Sequence, residues 1–464
     1  MVHTFEFKYR DKVHYFAWDV ESGSLHNLDY VAFLIARQVY TSQPLTVEQE
    51  GVLSDVDKSE YDEVLQELEQ LKSEGCFDSP CTTYSDCKGI GVIKALCLNV
   101  CYDCNLRCKY CFADEGTYRT DAKAHMTPKV GKAAVDFLIE HSGTRTNLEI
   151  DFFGGEPLLC MDTVKQVVEY ARSKEDKCGK KFSFTMTTNC LLLDEKTAEW
   201  LNDNMYNVVL SIDGRREVHN AMRPTCSGAD VYDLILSNAL RMAKLRGDKS
   251  YYVRGTFTPA NLDFTEDVKA LHEAGFNEIS LEPVVSDIDG IAITKEHLPA
   301  IYEEYGRLAQ YYLDCYNEGN PFNFFHFNVD LTSSPCMPKR LTGCGSGCEY
   351  AVVNPDGKLY PCHQFSEMEE YCMGDVFSKD YDMDISAKFA RNIVTNKPDC
   401  ASCMAKYYCS GGCAANNIKY AGDMNKPYAM TCEMMRRRLE LALACEAYKL
   451  TSAPSDMASQ AAEL

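Results

Sequence analysis

The feature that most constrains this fold is an alternation of short apolar segments with helical patterns between residues 93 and 325. Six segments have the length and composition of strands: 93–100, 148–153, 182–187, 208–212, 252–258 and 278–284. Helical patterns separate them, and one begins at Thr127 and Pro128, an N-cap residue with proline at the first helical position. Six strand–helix units predict an α/β fold with a parallel sheet buried on both faces. Functional groups are then expected at the carboxyl ends of the strands.

Cysteine is unusually frequent, with 24 cysteines in 464 residues. The first ten residues are polar and charged, which argues against a secretory signal, and no run of eighteen apolar residues predicts a membrane span. The expected location is therefore the cytoplasm, where clustered cysteines bind metal rather than form disulfides. The net charge of −22 disfavours nucleic acid and anionic membranes as partners.

Three cysteines follow the first predicted strand in a CxxxCxxC spacing: Cys104, Cys108 and Cys111. Three thiolates can hold three irons of a 4Fe–4S cluster and leave the fourth iron open, as in a catalytic metal site. A zinc finger uses paired cysteines, and a ferredoxin uses a run of four. Structural or zinc-binding cysteines are the alternative interpretation.

This spacing resembles the signature of the radical S-adenosylmethionine (SAM) enzymes. The resemblance implies a partial (β/α)6 barrel like that of triosephosphate isomerase, over residues 93–325. It also implies that the amino and carboxylate groups of SAM chelate the open iron. An electron from the cluster then cleaves SAM to a 5′-deoxyadenosyl radical, which makes the three cysteines catalytic.

Polar groups at the ends of the predicted strands match the SAM pocket of that family. The second strand ends in Gly154-Gly155-Glu156-Pro157, where glycine permits close approach and Glu156 can accept from an ammonium group. By resemblance, this motif holds the amino group of SAM. The other predicted pocket residues are Tyr110, Asn189, Ser211, Asp213, Arg254 and Val284, with Arg223 as a second candidate for the SAM carboxylate. Ordinary strand-end polar groups are the alternative for each residue.

The C-terminal region resembles the seven-cysteine pattern called SPASM. Twelve residues separate Cys344 from Gly357, four separate Gly357 from Cys362, and a CxxCxxxxxCxxxC motif and a last cysteine follow. The resemblance assigns one 4Fe–4S cluster to Cys400, Cys403, Cys409 and Cys432. It assigns a second to Cys344, Cys362 and Cys413, with Cys348 as the natural fourth ligand. Three 4Fe–4S clusters are therefore expected, and zinc is the alternative for residues 326–450.

Residues 1–75 predict a small winged-helix-like module with strands at 4–8 and 13–19 and helices at 28–39 and 59–72. Six Lys/Arg against fifteen Asp/Glu disfavour DNA binding. By resemblance, the module is a recognition element that adds the leader of a precursor peptide to its sheet as an extra strand. A structural cap is the alternative. Residues 76–92 are interpreted as a linker and residues 451–464 as a disordered tail.

Two resemblances bear on the reaction. Anaerobic sulfatase maturases share the barrel and clusters, but their pattern has Asp after the cysteine of the GxxxxC element, where this chain has His363. Nearly the whole chain resembles the maturases of Cys-rich "six cysteines in forty-five" (SCIFF) peptides. That resemblance implies a thioether cross-link in a Cys-rich precursor peptide and a reducing donor of the flavodoxin or ferredoxin type. A formylglycine-forming oxidase and a non-catalytic iron–sulfur electron carrier are the alternatives.

Overall fold

The computed structural model describes residues 1–81, 92–118, 120, 123–332, 337–378 and 381–452. Most of the predicted linker at 76–92 lies outside the described residues. The predicted disordered tail at 451–464 does too, except that residues 451 and 452 end the last helix. Over the described ranges, no helix is both long enough and apolar enough to cross a bilayer.

The N-terminal module contains a three-stranded antiparallel meander followed by three helices. The strands pair in the order β1 (Val2–Tyr9), β2 (Lys12–Asp19) and β3 (Ser24–Leu28), and the helices are α1 (Tyr30–Tyr40), α2 (Val47–Ser54) and α3 (Lys58–Ser73). The sequence did not predict β3 and α2, because β3 has no apolar alternation and α2 buries only two side chains. The winged-helix arrangement stays a prediction.

Six parallel strands in chain order form the centre of the main sheet, within two residues of their predicted bounds. They are β4 (Ala95–Cys101), β5 (Asn147–Gly154), β6 (Lys181–Thr188), β7 (Asn207–Ser211), β8 (Tyr251–Phe257) and β9 (Glu278–Pro283). All seven residues of β4 are buried, as expected of a strand covered on both faces. The predicted α/β sheet of strand–helix units is confirmed.

Helices connect these strands. They are α4 (Pro128–His141), α5 (Met161–Cys178), α6 (Glu195–Asn204), α7 (Arg216–Met222), α8 (Tyr232–Arg246), α9 (Phe264–Glu273) and α10 (Leu298–Asn317). Thr127 caps α4 as predicted, because its side chain accepts from the Val130 N–H. A helix after each strand returns the chain for parallel pairing, which brings the carboxyl ends of all six strands to one edge.

Four further short strands extend the sheet to ten. β10 (Asn323–Phe324) pairs with β9, and β11 (Tyr350–Val353) pairs in parallel with β4 at the other edge, followed by β12 (Lys358–Tyr360) and β13 (Gly374–Asp375). The sequence predicted none of these four strands, because segments of two to four residues are too short to show a periodicity. The β11 strand nevertheless buries Ala351, Val352 and Val353 beside β4.

The C-terminal region has short helices and one long one: α11 (Met337–Thr342), α12 (Met383–Ala390), α13 (Lys406–Cys409), α14 (Ala414–Asn416) and α15 (Ala429–Ser452). Two buried polar side chains hold its loops. Lys397 Nζ donates to Gly411 O at 3.0 Å and Met424 O at 2.9 Å, and Asn417 Nδ2 donates to the same two carbonyls at 3.0 and 3.1 Å. The α15 helix packs along α10.

Candidate active site

The CxxxCxxC motif lies on a loop that follows β4. Backbone hydrogen bonds hold this loop in place: the Arg107 N–H donates to Pro224 O at 2.7 Å, and the Lys109 N–H donates to Met222 O at 2.9 Å. Both acceptors lie at or just after the end of α7. The loop therefore has a defined conformation at the carboxyl edge of the sheet, where the fold predicted the functional groups.

The motif cysteines are half-buried. Burial raises the pKa of Cys104 and Cys108 to about 12 and also raises the pKa of Cys111. Two buried donors beside them, Nδ2 of Asn105 and Nε of Arg223, have no partner among the described residues. Buried thiols flanked by unpartnered N–H groups fit a thiolate-ligated iron–sulfur cluster, since a bound metal deprotonates the thiols and N–H donors stabilise its sulfurs.

The glycine pair at the end of β5 allows two loops to approach closely. Gly154 has a φ of 132°, and a Cβ there would lie 2.5 Å from Cys101 O; a Cβ on Gly155 would lie 2.0 Å from Asp103 O. The sequence predicted this pair for approach to a ligand. In the structure, the glycine pair lies against the backbone of residues 101–103, which leads into the cysteine loop. The glycines therefore place the adjoining Glu156 beside the cysteines.

The carboxylate of Glu156 is almost fully buried, with 1% of its surface exposed. It accepts from Thr188 Oγ1 at 2.8 Å, from the Leu158 N–H at 3.0 Å and from the Asn189 N–H at 2.8 Å. Burial raises the pKa of Glu156 to about 7 despite these bonds. A carboxylate oriented in this way can accept from an ammonium group, which would also favour its ionised form.

Asp213 lies behind the cavity rather than on its wall. Its carboxylate is fully buried and accepts from Tyr110 Oη at 2.6 Å, from Arg223 Nη2 at 2.9 Å and from the Thr256 N–H at 2.9 Å. Three protein donors therefore occupy it, and it positions Tyr110 and Arg223 beneath the cysteine loop. The direct contact with SAM stays a prediction, and the observed geometry favours an indirect role.

A cavity of about 510 Å³ opens beside the three cysteines. Every residue predicted for the cysteine triad and the SAM pocket lines it, except Asp213. Arg254 on β8 is exposed to this cavity, whereas Arg223 is paired with Asp213 at 2.9 Å. Of the two arginine candidates for a ligand carboxylate, Arg254 is the accessible one.

Glu282, at the end of β9, lines the same cavity and was not predicted. Its carboxylate lies 3.1 Å from His326 Nε2 and 3.8 Å from Arg438 Nη1. Burial alone would raise the pKa of Glu282, but His326, Arg438 and Arg254 together hold it well below its usual range. The rule that finds polar groups at strand ends would have found Glu282. Its partners His326 and Arg438 are distant in the sequence, and no local pattern predicted that they would contact it.

The C-terminal cysteines form two groups. Four of them line a cavity of about 180 Å³ between α13 and α15: Cys400, Cys403, Cys409 and Cys432. Cys413 lines the 510 Å³ cavity, and it and Cys344 both raise the pKa of Cys362, after the larger effect of burial. The first group contains all four cysteines predicted to share a cluster, and the second contains Cys344, Cys362 and Cys413 of the other predicted set. Their ligation stays a prediction.

Cys348, the predicted fourth ligand of the Cys413 group, is buried, and its thiol donates to Gly345 O at 3.3 Å. Within the described ranges, no three His, Cys, Asp or Glu side chains are close enough to share a single metal ion.

A second cavity, of about 480 Å³, adjoins the first and shares Tyr110, Cys111, Phe112, Val285 and Gln364 with it. The segments that follow β4 and β9 form one side, and the π-helical turn Asn417–Ala421 contributes to the other. An exposed ion pair, Lys419 Nζ to Asp287 Oδ1 at 3.1 Å, joins the two sides. The two cavities together extend from the cysteine loop to this turn.

His363 packs between aromatic rings beside the cavity. Its ring centroid lies 4.8 Å from that of Phe112 and 5.0 Å from that of Phe153. Burial, and to a lesser degree Arg254, lowers the pKa of His363 to about 4, so the imidazole is neutral at pH 7. Its Nδ1 is buried without a partner among the described residues.

Family profiles match two parts of the chain. The radical SAM superfamily matches residues 98–245, and the SPASM iron–sulfur cluster-binding domain matches residues 344–404. An uncharacterised protein of Methanocaldococcus jannaschii is 32% identical over 291 residues, which are 62% of this chain and 90% of that protein. The cysteine-type anaerobic sulfatase-maturating enzyme of Clostridium perfringens is 23% identical over 326 residues, 67% of this chain and 85% of the enzyme.

Among solved structures, Streptococcus suis SuiB bound to S-adenosylmethionine aligns with a TM-score of 0.53 at 17% identity. The alignment covers 93% of this chain and 98% of SuiB. A further structure of SuiB contains its precursor peptide SuiA. At this identity, the likeness establishes a shared fold.

Proposed function

Because this chain belongs to the radical SAM superfamily and carries a SPASM iron–sulfur domain, we propose that it forms a thioether cross-link in a ribosomally made, Cys-rich peptide. This is the reaction of the SCIFF maturases, which the sequence resembles. One observation carries the proposal: Cys413 of the C-terminal region and the CxxxCxxC loop line the same cavity. A substrate thiol near Cys413 would therefore lie in the same space as the SAM pocket.

Different residues of the cavity are proposed to bind different parts of SAM. Bound at the CxxxCxxC loop, a 4Fe–4S cluster and SAM would supply the 5′-deoxyadenosyl radical. Glu156 would accept from the amino group of SAM, and Arg254 would pair with its carboxylate. Val284 and Tyr110, which Asp213 holds, would contact the adenine. Such contacts would position SAM for reaction, and positioning contributes most when the reacting atoms are within about 3–3.5 Å.

In the cross-linking step, a hydrogen atom of the acceptor carbon would pass to the 5′-deoxyadenosyl radical, and the Cys thiol of the peptide would release its proton to solvent. The C–S bond would then form, and one electron would leave through the clusters that the C-terminal cysteines would hold. Glu282, ionised on the cavity wall, can accept a hydrogen bond from the peptide.

Peptide substrates are supported by SuiB, which shares this fold and has been solved with its precursor peptide. They are also supported by the 480 Å³ cavity, which adjoins the 510 Å³ cavity and shares five lining residues with it. An extended peptide segment across the two cavities would bring its side chains to the cysteine loop.

Strand addition to the N-terminal module is favoured at β3 rather than β1. The β1 edge is covered: Gln43 bonds the N–H and the carbonyl of Thr4, and Tyr9 Oη donates to Asp314 of α10 at 2.7 Å. Within the described residues, β3 pairs only with β2. An open strand edge is what a leader peptide needs to add a strand.

Incubation of the reconstituted enzyme with SAM, reductant and a Cys-rich precursor peptide tests the proposal. The expected product is lighter by two hydrogens than the substrate peptide. One fewer of its thiols reacts with an alkylating reagent. A reactive aldehyde would instead establish the formylglycine-forming oxidase: its formation from Ser removes two hydrogens, and its formation from Cys also exchanges the sulfur for an oxygen from water. The absence of SAM cleavage would leave an electron carrier.

The oxidase has support in the matching sulfatase maturase. Against it, His363 occupies the position of the expected Asp and packs between two aromatic rings as a neutral imidazole. Replacing His363 by Asp is expected to lower thioether yield without producing aldehyde. Aldehyde formation by this variant would favour the oxidase assignment.

The role of the leader is best tested on the peptide, because β1 packs against α10 and α15 and removal of residues 1–75 would expose these helices. A peptide that lacks its leader is expected to bind weakly while SAM cleavage continues without cross-linking. A scrambled leader is the matched control. Equal cross-linking of both peptides would return the module to the role of a structural cap.

A further inference from the structure

The N-terminal module contacts the C-terminal cysteine region through a buried ion pair. Lys406 Nζ pairs with the carboxylate of Glu21, and the two side chains are only 5% and 4% exposed. Tyr407 Oη donates to the other oxygen of Glu21 at 2.8 Å. Glu21 lies in the connection between β2 and β3, and Lys406 is the first residue of α13, the helix that ends at Cys409.

Lys406 also belongs to the wall of the 180 Å³ cavity that Cys400, Cys403, Cys409 and Cys432 line. A charge at this position acts on that cavity through protein rather than through water, so its effect is large and weakly screened by salt. The net charge around an iron–sulfur cluster is one of the determinants of its reduction potential.

We propose that Glu21 sets the reduction potential of the cluster held by these four cysteines, by neutralising Lys406. The N-terminal module is thereby an electrostatic part of the site through which the electron leaves. Because this inference rests on the proposed function, it presupposes a redox-active cluster at this cavity. Glu21 acts through Lys406 and is a positioning residue.

The charge that the cluster gains on reduction determines the direction of each shift in its potential. A reduced cluster carries one more negative charge than an oxidised one, so a bare positive charge nearby stabilises the reduced state and raises the potential. Glu21 cancels much of that effect in the native protein. The other charged groups of the wall, Asp399, Glu433 and Arg436, are unchanged in every variant and do not alter the direction of the shift.

The test is a redox titration of the full-length, reconstituted enzyme, followed by electron paramagnetic resonance. The signal of this cluster is identified as the one that disappears in a Cys432→Ala variant. Glu21→Gln leaves Lys406 unneutralised and is expected to raise the midpoint potential. Lys406→Met leaves Glu21 alone and is expected to lower it. Opposite shifts are a signature that loss of packing would not produce.

Removing one partner of a buried ion pair is destabilising, so a single variant can fail to fold. The exchange Glu21→Lys with Lys406→Glu keeps the pair but places the negative charge on the cavity wall. It is expected to lower the potential. Arg10→Gln is the matched control: it breaks the exposed Arg10–Asp314 pair at 3.1 Å, a contact of the same module with α10, and is expected to leave the potential unchanged.

Shifts of the two single variants in the same direction would overturn the inference, and so would an exchanged pair with the native potential. In either case, the native enzyme would still hold its clusters and cleave SAM, so the proposed function would stand. The absence of iron from this cavity in the native enzyme would overturn the cluster assignment in the proposed function and the inference with it.

Discussion

The central sheet and the C-terminal region reach stable structures by different means. The strands β4 to β9 bury continuous layers of apolar side chains, among which Ile150, Phe152, Phe184 and Val253 are fully inaccessible. Residues 337–452 have strands of two to four residues, and two buried polar side chains, Lys397 and Asn417, hold their loops by the same two carbonyls. Four of their cysteines surround a cavity.

The difference shows which interactions each part of the site depends on. Burial of apolar surface holds the sheet together, so the sheet does not need a cofactor to present Glu156 and Arg254. The loops that carry the C-terminal cysteines depend on buried hydrogen bonds, and we expect them to depend on metal as well. Loss of metal is therefore expected to destabilise the cysteine region more than the sheet. Substitutions in either core are expected to change the stability of the two regions by different amounts.

The largest expected effect is loss of SAM cleavage while the sheet stays folded. Replacing Cys104, Cys108 and Cys111 by Ala is expected to reduce SAM cleavage to background, because these three cysteines are the proposed ligands of the cluster that binds SAM. The amide-exchange protection of β5 and β6 is expected to persist. Deoxyadenosine formation by this variant, measured by liquid chromatography, would contradict the assignment of the site.

The next largest effect is expected from removal of iron by a chelator under anaerobic conditions, which should destabilise the cysteine region more than the sheet. Amide exchange should accelerate by orders of magnitude around residues 400–413 and little in β5, β6 and β7, since metal ligation contributes folding free energy only where the ligands are. Hydrogen exchange followed by mass spectrometry measures both regions in one sample. Equal loss of protection in the two would show that they fold as one unit.

A cavity in the sheet is expected to have the largest effect of any single apolar substitution. Phe152→Ala removes a fully buried ring and should lower the free energy of unfolding by about 3–5 kcal/mol. The matched control is Phe325→Ala, because that ring is 46% exposed. Denaturant unfolding of the iron-free protein measures the difference, and a similar change in both variants would contradict the role of the apolar layer.

The polar contacts of the cysteine region are expected to matter less for stability and more for metal. Asn417→Ala removes two hydrogen bonds to buried carbonyls and one from the Tyr428 N–H, at a cost of about 1–3 kcal/mol. Iron content should fall in this variant but not in Phe325→Ala. Exposed Asn425→Ala is the control, and retention of full iron content by Asn417→Ala would show that the cysteines do not need this contact.

The smallest expected effect concerns ligand binding alone. Arg254→Gln removes the accessible cation of the cavity and should weaken SAM binding by roughly tenfold, or about 1.4 kcal/mol, with no change in the stability of either region. Binding of SAM to the reconstituted enzyme can be measured by calorimetry. Unchanged affinity would leave the SAM carboxylate without its proposed partner.

Much of the fold could be predicted because local patterns encode it. The strands from β4 to β9 agree with their predicted bounds to within two residues, since each is an apolar or alternating segment of five to eight residues. The sequence did not predict β3, because it has no apolar alternation, or β11, because four residues are too few to show a period. The pairing of β11 with β4 joins residues more than 250 positions apart, and no local pattern specifies it.

The sequence by itself determined the strand–helix alternation, the cysteine spacings and the Gly154-Gly155-Glu156 turn, because each depends on residues close together in the chain. Only the tertiary structure decided that Asp213 lies behind the cavity, that Glu282 meets His326 and Arg438, and that Cys413 lines the same cavity as the CxxxCxxC loop. It also decided the pairing of Glu21 with Lys406, 385 positions away. Such contacts arise from the packing of whole elements, and spacing along the chain does not encode them.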